Sequence, residues 1–382
     1  MKLAPSLKAT ALTLALSPAL VAGAASAKTL NAAIGMGPKN SSVAAYNSFA
    51  AYVAEHTDID IKVFPMSLLS MKETPQGIRD GLADLGFVVP VYFPAQYKES
   101  NLVANLSMLA TSGVKVPSPG AALSGAMTEY LFNCTECLAE YQNQGQVYLG
   151  SVSSHGYDAL CTKSIRTLDD LKGAKMRSPG GNYSRWAESM GAVAVSMPAG
   201  DTYEAMSQGV IDCHMGSVSD LTNNSLVDVT KYVTFGVPGG AFAGVATSNF
   251  NTGVWRDLTE AERAVILRGA ARMQAEMTLG YYDLAQKDAT GAPAAGVEIV
   301  DADAELVAAT DAFVQKDLPV IAAQFESDYG VENVEAKIGE MVRLVEKWKG
   351  LTKDLPGDVA GLEQVYWDEV FSKLDPSTYG IY

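Results

Sequence analysis

One arginine stands where a short apolar strand meets a glycine turn, in Lys175-Met176-Arg177-Ser178-Pro179-Gly180-Gly181. A guanidinium stays charged at any physiological pH, so Arg177 at the end of a buried strand is costly unless something pairs with it. Aromatic residues cluster in the same parts of the chain: Tyr92, Phe93 and Tyr97 follow the third apolar strand, and Tyr157, Tyr183 and Trp186 surround the Arg177 segment. Aromatic faces exclude water and sharpen an ion pair, and a guanidinium takes a carboxylate or sulfonate in bidentate geometry. The expected chemistry is a box for a small organic anion. The competing assignment is an internal bridge from Arg177 to an Asp or Glu, with the aromatics as ordinary core.

Other reactive side chains point nowhere as definite. His56, His155 and His214 are too few and too scattered for a metal site, and none forms an H-E-x-x-H pattern. His56 reads as a solvated residue at a helix end, while His155 and His214 stand near strand ends where a cleft would be lined. Cys213 and His214 are adjacent like a nucleophile and base, but successive strand residues face opposite ways and are not expected to meet. Gly150-Ser151-Val152-Ser153-Ser154 lacks the second glycine of a nucleophile elbow, and the dinucleotide and P-loop glycine patterns are absent. No cofactor or metal is implied, and a binding module is expected over an enzyme.

The elements that must position Arg177 follow from periodicity. After Lys28 the chain alternates strand (TLNAAIG), amphipathic helix (VAAYNSFAAYVAEH), strand (IDIKVFP), helix (TPQGIRDGLA) and strand (DLGFVV). Such alternation implies a parallel sheet covered by helices. The pattern restarts with QVYLGSVS and DALCTK as strands, then a Thr167/Asp170 capping signal, KMR as strand, NYSRWAESM as helix and AVAVS as strand. Asp201 with Glu204 is expected to cap DTYEAMSQ before the strand GVIDCHM. AFAGVATSN is a further strand, Thr259 with Glu262 opens a helix through Tyr282, and the remainder reads as almost entirely helical. The fold class expected is an α/β two-lobed clamshell of the periplasmic-binding-protein type with a long helical C-terminal region. Its first lobe covers 28–154 plus about 242–282, its second 155–241, and the helices of 283–382 pack on the second lobe and across both. Ligands in such sheets bind at the carboxyl ends of strands.

Composition limits the partners. Lys2 and Lys8 precede an apolar run from Ala9 to Ala25 and a small-x-small site at Ala25-Ser26-Ala27, so residues 1–27 read as a cleaved export signal. The run is broken by Ser17-Pro18, is shorter than the ~20 residues of a spanning helix, and has no nearby cysteine for lipid attachment. Removing the two lysines takes the formal charge from −15 to −17, which argues against nucleic acid or an anionic membrane as partner. In the oxidising periplasm, Cys134, Cys137, Cys161 and Cys213 are disulfide candidates. Cys134-Thr-Glu-Cys137 lacks the strand that precedes a thioredoxin-like motif and is expected to be a structural bridge. Cys161 and Cys213 each close a short strand, so either a second bridge or two buried thiols fits.

TLDDLKGAKMRSPGG, then a helix, MGAVAVSMP, a helix ending in QGVIDC, and later GVWRDLTEAERAVI together resemble the solute-binding proteins of TRAP transporters, the dicarboxylate-type family. The likeness spans nearly the whole chain after Lys28 in order of elements and is specific from Ile165 to Asp212. It implies a periplasmic receptor, expected to be a monomer, whose two lobes close over a small organic anion and deliver it to a membrane permease driven by a sodium gradient. By this resemblance Arg177 matches the arginine that pairs with a substrate carboxylate. Tyr157 falls where sialic-acid-type members carry a second arginine, and Gly216 where many members place an asparagine, with Ser217, His214 or a water as replacement. Gly37 to Ser41, including Asn40, and Val89 to Tyr92 match first-lobe loops that touch ligand, and Phe242 matches an aromatic pocket wall. An ATP-driven transporter receptor or a sensor input domain shares the clamshell, and a periplasmic enzyme would need catalytic groups around Arg177.

Overall fold

The computed structural model describes Met1, Lys2, Ala4 and residues 28–382, so the apolar core and cleavage site of the expected export signal lie outside the described residues. Among those described, no helix is long and apolar enough to cross a membrane.

The first five elements follow the alternation in the sequence: β1 (Lys28–Ile34), α1 (Ser41–His56), β2 (Ile59–Pro65), α2 (Thr74–Arg79) and β3 (Leu85–Val88). Three helices come next, α3 (Lys98–Ala104), α4 (Pro119–Phe132) and α5 (Thr135–Asn143). The expected strand QVYLGSVS is two short ones, β4 (Gln146–Val147) and β5 (Ser151–Val152), both paired within the first sheet and not the second. Gly150 breaks the run: its φ is 102°, and a Cβ there would lie 2.6 Å from Gln274 Oε1, so backbone bends where a side chain has no room.

The second sheet is built from β6 (Tyr157–Cys161), α6 (Leu168–Leu171), β7 (Lys175–Ser178), α7 (Gly181–Ser189), β8 (Val193–Ser196), α8 (Thr202–Ser207), β9 (Cys213–Ser217), α9 (Asp220–Asn223) and β10 (Tyr232–Phe235). The Thr167/Asp170 capping box forms as read. Asp201 does not cap α8; its side chain makes no hydrogen bond there, and a 3-10 turn over Ala199–Asp201 leads in instead. The chain then returns through β11 (Val245–Asn251) and α10 (Thr252–Arg256) to α11 (Glu260–Gly291), which opens on the Thr259/Glu262 capping box and runs past Tyr282. A strand unread in the sequence, β12 (Glu298–Asp301), precedes α12 (Ala304–Tyr329), α13 (Val334–Thr352) and α14 (Val359–Glu369).

Strand order is β2-β1-β3-β11-β4, with β5 on β11, in the first sheet and β12-β10-β6-β9-β7-β8 in the second. Each sheet is mixed: β11 runs antiparallel to β3, and β6 antiparallel to β9 and β10. The helix α11 is the spine, packing on α1 and α4 at the first sheet and reaching α9 of the second, where Thr222 bonds Asp288 through N–H and hydroxyl at 3.1 and 2.8 Å. The C-terminal helices divide. α12 lies on α7, where Trp186 donates to Thr310 at 3.0 Å and Arg185 grips Asp317 at 2.7 and 2.8 Å. α13 packs on α4 of the first sheet's layer and on α12, and α14 packs on α11. Both disulfides are formed: Cys134–Cys137 at the start of α5, and Cys161–Cys213 across the antiparallel pair β6/β9, where the two residues are register partners.

Candidate functional site

Arg177 occupies an inner strand of the second sheet, opposite Val195 on β8 and His214 on β9. Its side chain is 2% exposed. Nε donates to the Met197 carbonyl at 3.0 Å and Nη1 to the Met215 carbonyl at 3.4 Å. Among the described residues no carboxylate lies within 4.0 Å of the guanidinium, so the internal bridge weighed against a ligand does not form. Carbonyl dipoles orient the group without neutralising it.

The charge lies at a cavity of about 60 Å³ between the two sheets. Loops of the first sheet contribute Met36, Asn40, Met71 and Tyr92; the second contributes Tyr157, Arg177, Ala199, Asp220 and Asn224; Phe242 and Tyr281 complete the wall. Contacts cross directly from one sheet's loops to the other's. Ala199 N–H donates to the Tyr92 hydroxyl at 3.3 Å, and Ser41 N–H donates to Asn223 Oδ1 at 3.1 Å. Asn40 caps α1, its Oδ1 accepting from Ser42 N–H at 2.9 Å, which holds the amide at the cavity edge. Tyr157 stacks on Phe242 with centroids 6.4 Å apart and planes 11° from parallel, and leans on Tyr183 at 5.1 Å. Burial keeps its phenol well above the ordinary value despite the nearby Arg177 charge.

The groups offered as replacements for the second polar contact stand off the wall. Ser217 is buried and accepts from Ser219 N–H at 3.3 Å and Oγ at 3.0 Å. His214, with no exposed side-chain surface, is bound through Nε2 to Asp220 Oδ2 at 2.9 Å. Burial first, and the Arg177 charge in addition, lower its pKa against the opposing pull of Asp220. The lowered pKa favours the neutral imidazole, and a proton on Nε2 is the tautomer that donates to the Asp220 carboxylate; buried Nδ1 has no partner among the described residues. Asp220 itself lines the cavity, and sequence reading missed it. Gly216 explains the pair: a Cβ there would lie 2.1 Å from His214 Nε2 and 2.5 Å from Asp220 Oδ2. The only hint in the sequence is the small residue itself, in Cys-His-Met-Gly-Ser-Val-Ser-Asp.

The remaining candidates lie elsewhere. His56 ends α1 exposed, Nδ1 bonded to the Tyr52 carbonyl at 2.8 Å. His155 borders a wider groove of about 550 Å³ with Asp158, Lys115 and Asp311, whose one cationic residue, Lys115, is largely exposed. Cys213, the apparent nucleophile, is bonded to Cys161. Tyr97 and Trp186 are core residues. Among the described residues no group of acidic, histidine or cysteine side chains is arranged to hold a metal.

Known proteins agree with this architecture. A solute-binding protein from Albidiferax ferrireducens is 24% identical over 196 residues, 50% of this chain and 55% of that protein, so the chain spans about half the length of the curated relative it matches. The crystal structure of a marine-metagenome TRAP solute-binding protein specific for aromatic acids, with 3-hydroxybenzoate, superposes with a TM-score of 0.72 at 20% identity, covering 84% of this chain and 98% of that one. The TRAP periplasmic solute-binding protein of Bordetella bronchiseptica with bound (R)- and (S)-mandelate gives 0.71 at 18% identity, covering 84% and 99%. These likenesses establish the two-lobed fold. Residues 33–328 match the profile of bacterial extracellular solute-binding protein family 7, and the chain belongs to that family.

Proposed function

We propose that this chain is the periplasmic receptor of a TRAP-type transporter, holding the carboxylate or sulfonate head of a small organic acid on Arg177 and delivering the acid to a membrane permease. The observation that carries this reading is a guanidinium 2% exposed, with carbonyl partners only, at a cavity walled from both sheets. An anion on Arg177 supplies the missing charge, and Asn40, Tyr92, Tyr157 and Phe242 shape the space around it. A ligand held by both lobes makes all its contacts only when they are closed, so binding shifts the population toward closure. A receptor is favoured over an enzyme because the one nucleophile–base pair in the sequence is dismantled, Cys213 by its disulfide and His214 by Asp220.

Thermal-shift screening of small organic acids identifies a ligand, since whatever binds the folded state alone raises its stability. Calorimetry then compares wild type with Arg177→Ala and Arg177→Lys. Loss of a desolvated bidentate pair costs about 2–5 kcal/mol, or roughly 30- to 4,000-fold in Kd. Unchanged affinity in both variants refutes the assignment. Genes for paired small and large permease proteins beside this one separate a TRAP system from an ATP-driven one.

A further inference from the structure

Among the described residues, Arg177 and Asp220 are the two charged side chains lining the cavity, and they are not paired with each other. Asp220 Oδ2 takes the hydrogen of His214, while Oδ1 has no hydrogen-bond partner among the described residues. With the imidazole neutral, the site holds one positive and one negative charge at separate points. A plain monoanion on Arg177 would leave the Asp220 carboxylate with the His214 hydrogen bond as its one side-chain partner among the described residues and no opposite charge. A ligand with a cationic nitrogen as well as an acid head leaves neither charge alone. Tyr92, Tyr157, Phe242 and Tyr281 supply aromatic surface to the same space, which favours an ammonium over a hydroxyl.

We infer that the ligand is zwitterionic, an amino acid or aminosulfonate whose acid head pairs with Arg177 and whose ammonium N–H donates to Asp220, held in place by His214 across Gly216. The inference rests on the receptor reading above and narrows it to one substrate class.

The test uses matched probes on the mature protein: glycine with glycolate, β-alanine with 3-hydroxypropionate, 4-aminobutyrate with 4-hydroxybutyrate, and taurine with isethionate. Thermal shift followed by calorimetry is expected to show at least one amine binding tenfold or more tightly than its hydroxy partner. In Asp220→Asn, which keeps the shape and an acceptor for His214, that ratio is expected to collapse toward one. Amines that bind no better than their hydroxy partners, or a ratio unmoved by Asp220→Asn, overturn the inference. Binding that persists undiminished in Arg177→Ala overturns instead the receptor reading on which it rests.

Discussion

Replacing Gly216 by alanine is the sharpest perturbation of the second polar group. The added Cβ would sit 2.1 Å from His214 Nε2 and 2.5 Å from Asp220 Oδ2, where ordinary contact begins at 3.4 Å, so the imidazole has to retreat by about 1.3 Å. It has nowhere to go, with no exposed surface on its side chain, whereas Asp220, 14% exposed, can swing. The 2.9 Å hydrogen bond is therefore the part that breaks. Overpacking costs about 1–3 kcal/mol and a hydrogen bond to a charged group about 1.5–3, together about 2.5–6 kcal/mol of unfolding free energy. Urea unfolding followed by tryptophan fluorescence reads this through Trp186, buried in the same lobe. The control is Gly216→Ala in a His214→Ala background, where the imidazole clash and the bond are both gone and only the movable Asp220 carboxylate is left in the way, so the alanine should cost at least about 1 kcal/mol less. Gly216→Asn, which puts a bulkier side chain at the same place, should be worse than alanine and should not improve ligand affinity. A Gly216→Ala protein within about 0.5 kcal/mol of wild type, or an equal cost in both backgrounds, refutes the reasoning.

Thiol titration of the unfolded, unreduced protein should find no free thiols, because both bridges are formed. With a separation of 52 residues against 3, losing Cys161–Cys213 by paired alanine substitution should destabilise by about 4 kcal/mol and losing Cys134–Cys137 by about 2; equal effects would contradict the loop-entropy account. Burial lowers the His155 pKa from 6.5 to about 4, so from pH 6.5 down to 4 the unfolded chain takes up a proton that the folded one refuses. Wild type should therefore lose stability relative to His155→Asn across that window, and parallel pH profiles of the two proteins would show that the ring titrates normally.

How far the sequence reveals this molecule depends on whether a residue's role is local. The β1–α1–β2–α2–β3 run is legible because periods of two and 3.6 are imprinted on the chain, and the capping boxes at Thr167 and Thr259 are written in four residues each. β12 escapes because four residues between two helices carry too little pattern, and its stability comes from pairing with β10, 66 residues earlier at Tyr232↔Glu298. The amphipathic stripes of α13 and α14 say that one face is buried and nothing about which lobe covers it. Arg177 is legible for the opposite reason: a permanent charge in a strand is expensive wherever it packs.

Asp220 carries a charge as well, yet nothing in the sequence around it marks a site. An aspartate opening a short helix has an ordinary explanation as a complement to the helix terminus, so its charge raises no alarm. By resemblance alone Gly216 reads as a lost contact. In the folded chain the glycine, the histidine two residues before it and the aspartate four residues after it form one unit, because the imidazole reaches the carboxylate only across a position without Cβ. Through this unit a carboxylate stands at the cavity wall together with Arg177, and under the proposed reading it is a second group for the ligand to complement. If the proposed reading holds, a ligand with an acid head alone satisfies Arg177 and leaves Asp220 unmet.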